Sequence, residues 1–184
     1  ELYRKLLERE GREARPLAIR MDNEIPLGMG CGSSAAGRLA AIVLADHFGR
    51  LGWTSDRVLA EASELEGHPD NAAACWLGGF VASGTLGGEV QVARVEAPAE
   101  WRAILVLPKD FMETSKTTKA RALLPAIYAR TDVVTNLQAV AMLGLAFAQS
   151  RGDLLKAAMT DRVHQPYRLA ICPLLPKLLP LAGH

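Results

Sequence analysis

The residues best suited to chemistry lie in a few short segments. The first, Pro26 to Gly37 with the sequence PLGMGCGSSAAG, has the composition of an anion cradle. Gly28, Gly30 and Gly32 let the main chain turn with its N–H groups facing inward, and a helix starting just beyond adds unpaired donors and a positive dipole end. A phosphate group fits such a turn. Ser33 and Ser34 bring hydroxyls that donate to phosphate oxygens or ligate a hard cation, and Ala35 and Ala36 carry the helix onward. No lysine follows the last glycine, so the segment is not a Walker A loop, and Ser33 stands where GxGxxG would need its spacing to continue. The same residues also suit a tight strand-to-helix turn in which the serines only cap the helix.

Acidic, imidazole and amide groups crowd the second segment, Glu64 to Phe80 (ELEGHPDNAAACWLGGF). Glu64 and Glu66 fall on different faces of a helix, so at most one of them points into a given site. His68, Asp70 and Asn71 occupy the Gly/Pro break. Any of the three can converge on a ligand, and Asp70 or Asn71 can equally cap the helix that follows while His68 bonds locally. Two further segments are basic and carry hydroxyls, Thr114 to Arg121 (TSKTTKAR) and His164 to Arg168 (HQPYR). Arg121 and Arg168 are able to grip a carboxylate or phosphate bidentately, while Lys116 and Lys119 suit a solvated face.

The elements that must hold these groups alternate between helix and strand. Leu2 to Arg9 reads as a helix and Pro16 to Met21 as a strand feeding the glycine turn. Helices are expected from Ser34 to about Phe48, from the caps Thr54 and Ser55 to the break at Gly67 and Pro69, and over Asn71 to Leu77. Strand-like runs follow at Phe80 to Ser83, Val90 to Val95 and Ile104 to Leu107, with a turn at Pro98 marking a domain boundary. Thr117 to Leu124 reads as a helix, and Asp132 to Gln149 as an apolar helix expected to be largely buried.

With 184 residues, 49% of them hydrophobic, the chain can bury a core. Its 21 basic and 20 acidic residues balance to a net charge of +1, which gives no signature of a nucleic-acid surface or a membrane patch. Cys31, Cys75 and Cys172 are odd in number and widely spaced, which argues against a disulfide framework or zinc site and for a reducing, cytoplasmic setting. Apolar runs are interrupted short of a membrane span. The chain starts at Glu1 rather than Met and stops inside a Pro/Leu-rich run, as expected of part of a longer protein.

PLGMGCGSSAAG followed by ELEGHPDNAAACWLGGF resembles the GHMP kinase superfamily, and HPDN and LGGF followed by TTKARALLP and DRVHQPYR resemble the homoserine kinases within it. The resemblance runs from about Pro26 to Arg168. It implies an α+β fold: a ribosomal-S5-like amino-terminal domain over residues 1–97 and a ferredoxin-like carboxy-terminal domain over residues 98–184, both incomplete. It also implies ATP-dependent phosphorylation of L-homoserine to O-phospho-L-homoserine, with ATP and Mg2+ as cofactors. Pro26, Leu27, Gly28, Met29, Gly30, Cys31, Gly32, Ser33, Ser34 and Ala35 would then wrap the ATP phosphates, and Ser34 and Glu64 would ligate magnesium. By the same resemblance His68, Asp70, Asn71, Arg121 and Arg168 bind the substrate, with Thr117 and Asn71 near the reacting centre and Arg168 on the substrate carboxylate. Family members are often dimers. Cys31 departs from the usual leucine, and the family's outer segments have no counterpart here, so the 184 residues alone are expected to be inactive. A GHMP-type kinase of another small alcohol and a non-catalytic nucleotide-binding relic are the alternatives.

Overall fold

The computed structural model describes residues 1–107, 122–169, 171–172 and 174–181, and it divides into two compact units, Glu1–Val95 and Glu96–His184.

The first unit opens with α1 (Leu2–Arg9), whose Tyr3, Leu6 and Leu7 recur at three- and four-residue spacing and are all buried. Helix α2 (Ser33–Gly49) buries Ala35, Leu39, Ile42 and Ala45 on one stripe. Trp53 N donates to Asp46 Oδ1 at 2.9 Å and ties down the turn beyond α2. Helix α3 (Ser55–Glu66) starts where Thr54 Oγ1 accepts from Arg57 N at 3.2 Å and stops at Gly67, whose φ of 80° is the left-handed conformation glycine adopts without strain. Helix α4 (Asp70–Leu77) buries Ala72 and Ala73 and ends at Gly78. Apolar faces of these four helices meet in one core built around Leu7, Ile42, Leu59 and Ala62, which hold the ends of α2, α3 and α4 in place.

Strands β1 (Phe80–Leu86) and β2 (Glu89–Val95) form an antiparallel hairpin whose register runs from Phe80 opposite Val95 to Leu86 opposite Glu89. Gly87 and Gly88 make its two-residue turn with φ of 61° and 86°, the paired positive values a tight hairpin turn needs. Strand β1 runs past the expected end at Ser83 because Gly84, a poor strand former in isolation, is paired with Gln91 across the ladder.

Two expected strands are absent from the described residues. Residues 12–24 and 101–107 carry no regular structure. Ile19, Met21, Ile104 and Leu105 are exposed, and β1 and β2 pair only with each other among the described residues. Alternating apolar residues supply propensity, but a strand also requires a neighbour to satisfy its ladder.

In the second unit the principal element is α5 (Arg130–Ala148), followed by a 3-10 turn (Gly152–Leu154), α6 (Leu155–Ala158), α7 (Gln165–Arg168), α8 (Leu175–Leu178) and a second 3-10 turn (Leu179–Leu181). Trp101 packs edge-on to Phe147 with ring centroids 5.0 Å apart. Helix α5 departs from the expectation that it is largely buried. Only Ala139 and Ala146 are buried in it, while Leu137, Val140 and Leu145 are exposed. Its 19 residues, with a mean hydropathy of 1.3 over its most apolar window, are also long and apolar enough to cross a membrane by length and composition. The same helix carries Asp132, and Asn136 Oδ1 accepts from Arg162 N at 2.6 Å, which ties it to a later segment of its own unit. The expected helix over Thr117 to Leu124 lies almost entirely outside the described residues.

Candidate active site

The glycine loop is fixed at its start by an Asx turn, in which Asn23 Nδ2 donates to Ile25 O at 2.9 Å and Ile25 N donates to Asn23 Oδ1 at 3.2 Å. Leu27 to Gly30 form a turn, with Gly28 and Gly30 at φ of 69° and 77° and open space where a Cβ would stand. Gly32 is the N-cap of α2 at φ of 76° and supplies no side-chain acceptor, and α2 has no acidic residue in its first turn. The positive end of a 17-residue helix is therefore left without an intramolecular anion from its own first turn or cap. A Cβ added at Gly32 would lie 3.8 Å from Asn71 Oδ1, so the end of the loop and the start of α4 are neighbours.

Ser34 Oγ donates to Glu66 Oε1 at 2.9 Å. Arg38 Nη1 reaches the same oxygen at 2.6 Å. Ser34 and Arg38 share a face of α2 because they are four residues apart, and both meet the last residue of α3. The carboxylate bonded to Ser34 is thus Glu66, whereas Glu64 was the one expected beside it. Residues two apart on a helix point about 200° away from each other. Glu66 accordingly faces α2, whereas Glu64 lines a groove of about 760 Å³ with Asp56, Leu59 and Glu89, against β2. The sequence reading missed Arg38 altogether; its four-residue spacing from Ser34 was the available signal.

His68 lines the groove with Glu64. Its Nδ1 lies 2.5 Å from Asp70 Oδ1, which also accepts from Asn71 N at 2.7 Å. The first unit thus brings the loop, Ser34, Glu66 and Asn71 together and ties His68 to Asp70.

In the second unit Asp161 organises the segment that contains Arg168. Its carboxylate accepts from Val163 N at 2.8 Å, His164 N at 2.9 Å and Gln165 N at 3.1 Å. Burial alone would raise the pKa of Asp161, yet the three N–H donors and the nearby His164 outweigh it and hold the carboxyl below its ordinary value. Tyr128 OH donates to Val163 O at 3.2 Å and the Tyr128 ring meets Tyr167 edge-on at 5.9 Å, which fixes α7. Among the described residues Arg168 Nε is buried without a hydrogen-bond partner, an orphan donor of the kind an anionic ligand satisfies. Thr117 and Arg121 lie outside the described residues.

A glycine-rich loop at the start of a long helix, faced by a hydroxyl and a carboxylate, is an arrangement suited to handling phosphate. Residues 1–79 match the family described as GHMP kinases N terminal domain. The chain is also similar to homoserine kinases. It is 46% identical over 167 residues to the homoserine kinase of Solibacter usitatus, covering 90% of this chain and 54% of that protein. It is 35% identical over 166 residues to the homoserine kinase of Synechocystis, covering 90% and 53%. Its fold superposes on the crystal structure of homoserine kinase from Cytophaga hutchinsonii with a TM-score of 0.67 at 24% identity, covering 85% of this chain and 50% of that one. A putative homoserine kinase from Listeria monocytogenes gives 0.66 at 23% identity, covering 86% and 54%. The chain spans about half the length of the curated relatives it matches.

Proposed function

We propose that the complete protein carrying this sequence is a homoserine kinase, which moves the γ-phosphoryl group of ATP to the side-chain hydroxyl of L-homoserine and so feeds threonine biosynthesis. The observation that carries the reading is the convergence at the start of α2, where the left-handed Gly32 abuts Asn71 while Ser34 and Glu66 offer hard oxygen atoms one hydrogen bond apart.

These residues suit both cofactors. Main-chain N–H groups from Gly28 to Ser34 would hold phosphate oxygens, and Ser34 Oγ with the Glu66 carboxylate is an oxygen donor set for Mg2+. When bound, the cation supplies charge neutralisation to the phosphate oxygens. Phosphoryl transfer demands alignment and charge compensation more than covalent help, so the tasks of this chain are positional. Asn71, His68 and Asp70 are the substrate-facing groups of the first unit in this reading. The buried, unpartnered Nε of Arg168 makes its guanidinium the natural holder of the homoserine carboxylate. By resemblance to the family, Arg121 would bind the substrate and Thr117 would act near the reacting centre. The reading includes a cytoplasmic enzyme, assembled as a homodimer, that takes ATP and homoserine and neither nucleic acid nor a membrane as partner.

The test is ADP release by the complete protein given homoserine, mevalonate or galactose in parallel. Homoserine-dependent release well above the other two is expected. Release driven by another alcohol, or by none, would refute the assignment.

A further inference from the structure

Glu66 is in a costly place for a carboxylate. It is the last residue of α3, where the helix dipole is negative, and its side chain is only 8% exposed. A buried anion there demands a cation. Among the described residues its ion-pair partner is Arg38, whose Nη1 sits 2.6 Å from Oε1. Arg38 itself is 37% exposed on a long flexible stem, so its guanidinium can leave for solvent at little cost while Glu66 cannot.

We propose that Arg38 is a positioning residue that acts as a resident counter-ion for the cation site. It neutralises Glu66 and holds it against Ser34 while no divalent ion is present, and it must withdraw from the carboxylate when one binds. Cation uptake at Ser34 and Glu66 is then an exchange, guanidinium out and divalent ion in, and the affinity for the ion is set partly by the charge it displaces. The inference rests on the reading of Ser34 and Glu66 as cation donors and adds a residue outside the glycine loop to that site.

The experiment measures Mn2+ binding to the complete protein by electron paramagnetic resonance, without nucleotide, together with thermal unfolding in EDTA and in excess Mn2+. Arg38→Met keeps the stem and removes the charge. It should bind Mn2+ about tenfold more tightly, the order expected when a unit charge a few ångströms from a divalent ion is removed in a water-like medium. It should also unfold at lower temperature than wild type in EDTA and recover in Mn2+. Arg38→Lys, which retains a cation, should bind Mn2+ like wild type, and Arg38→Gln repeats the charge removal if the methionine variant does not fold. Unchanged or weaker Mn2+ binding on charge removal overturns the proposal, as does tightening by Arg38→Lys equal to that of the neutral variants. Glu66→Gln should weaken Mn2+ binding, and its failure to do so also overturns it. Homoserine-dependent ADP release is scored separately, so a kinase with an unaltered Mn2+ affinity loses only the role of Arg38.

Discussion

The ion pair between α1 and α3 offers the sharpest test of how the first unit is held together. Arg9 Nη1 and Nη2 donate to Glu61 Oε1 and Oε2 at 2.8 and 2.6 Å, the bidentate fork a guanidinium makes with a carboxylate. Glu61 is 1% exposed and Arg9 45%, so the two partners are not equivalent. Hydrogen bonding to Glu61 raises the pKa of Arg9 above its ordinary value, against a smaller opposing effect of burial, so Arg9 stays charged at every pH at which the protein is studied. Replacing Arg9 with methionine leaves a buried carboxylate behind. An uncompensated buried charge costs about 3–5 kcal/mol. Arg57 Nη2 remains 3.5 Å from Glu61 Oε2 and recovers part of that, so Arg9→Met should lose about 2–4 kcal/mol. Glu61→Leu leaves only a half-exposed guanidinium that water can solvate, and it should cost less. The double variant replaces the pair with apolar side chains and should lie close to wild type, because such exchanges are often neutral. Urea denaturation of all four proteins gives the coupling directly, and with the double variant close to wild type the coupling energy is expected to be at least the Arg9→Met loss of about 2–4 kcal/mol. Strict additivity, or an Arg9→Met loss below about 1 kcal/mol, would show that the fork contributes geometry without stability.

Other consequences are quicker to state. Gly32 adopts φ of 76°, and the atom nearest to a Cβ added there is Asn71 Oδ1 at 3.8 Å, so Gly32→Ala should cost about 1–2 kcal/mol from backbone strain alone. Gly32→Asn should cost less and Gly32→Val more, and denaturation that ranks the three otherwise would remove strain as the cause. Asp161 has its pKa held below the ordinary carboxylate value, so the order it gives to residues 161–168 is complete above about pH 4 and is lost as pH falls through the lowered value. Tyrosine fluorescence from the Tyr128 and Tyr167 pair should report that step on acidification and should not show it in Asp161→Asn.

Much of the first unit was legible from sequence because its signals are local. Thr54 caps α3 through its own hydroxyl, Gly67 stops it in the left-handed conformation, and the apolar spacing of α1 and α2 matches the faces they bury. The strand expected at Pro16 to Met21 failed for a non-local reason, since alternation in one segment says nothing about whether a partner edge lies beside it. Helix α5 failed similarly. Its apolar residues are distributed around the whole circumference, so the sequence pattern names no buried face, and burial depends on what packs there.

The carboxylate beside Ser34 shows where local reading stops in the site itself. The sequence shows that Glu64 and Glu66 diverge on α3, but choosing between them requires the rotation of α3 about its own axis relative to α2. That rotation is fixed by core residues remote from the loop. Val58, Leu59 and Ala62 are buried against the core, and Glu61 is held by Arg9 on α1. With those positions turned inward, Glu66 falls toward Ser34 and Arg38, and Glu64 toward β2. The choice of carboxylate is therefore made by the packing of α1 and α3, so loss of the Arg9 fork should disturb the geometry of Ser34 and Glu66 as well as stability. Arg9→Met should weaken Mn2+ binding while Arg38→Met strengthens it, two arginine losses with opposite signs at one site.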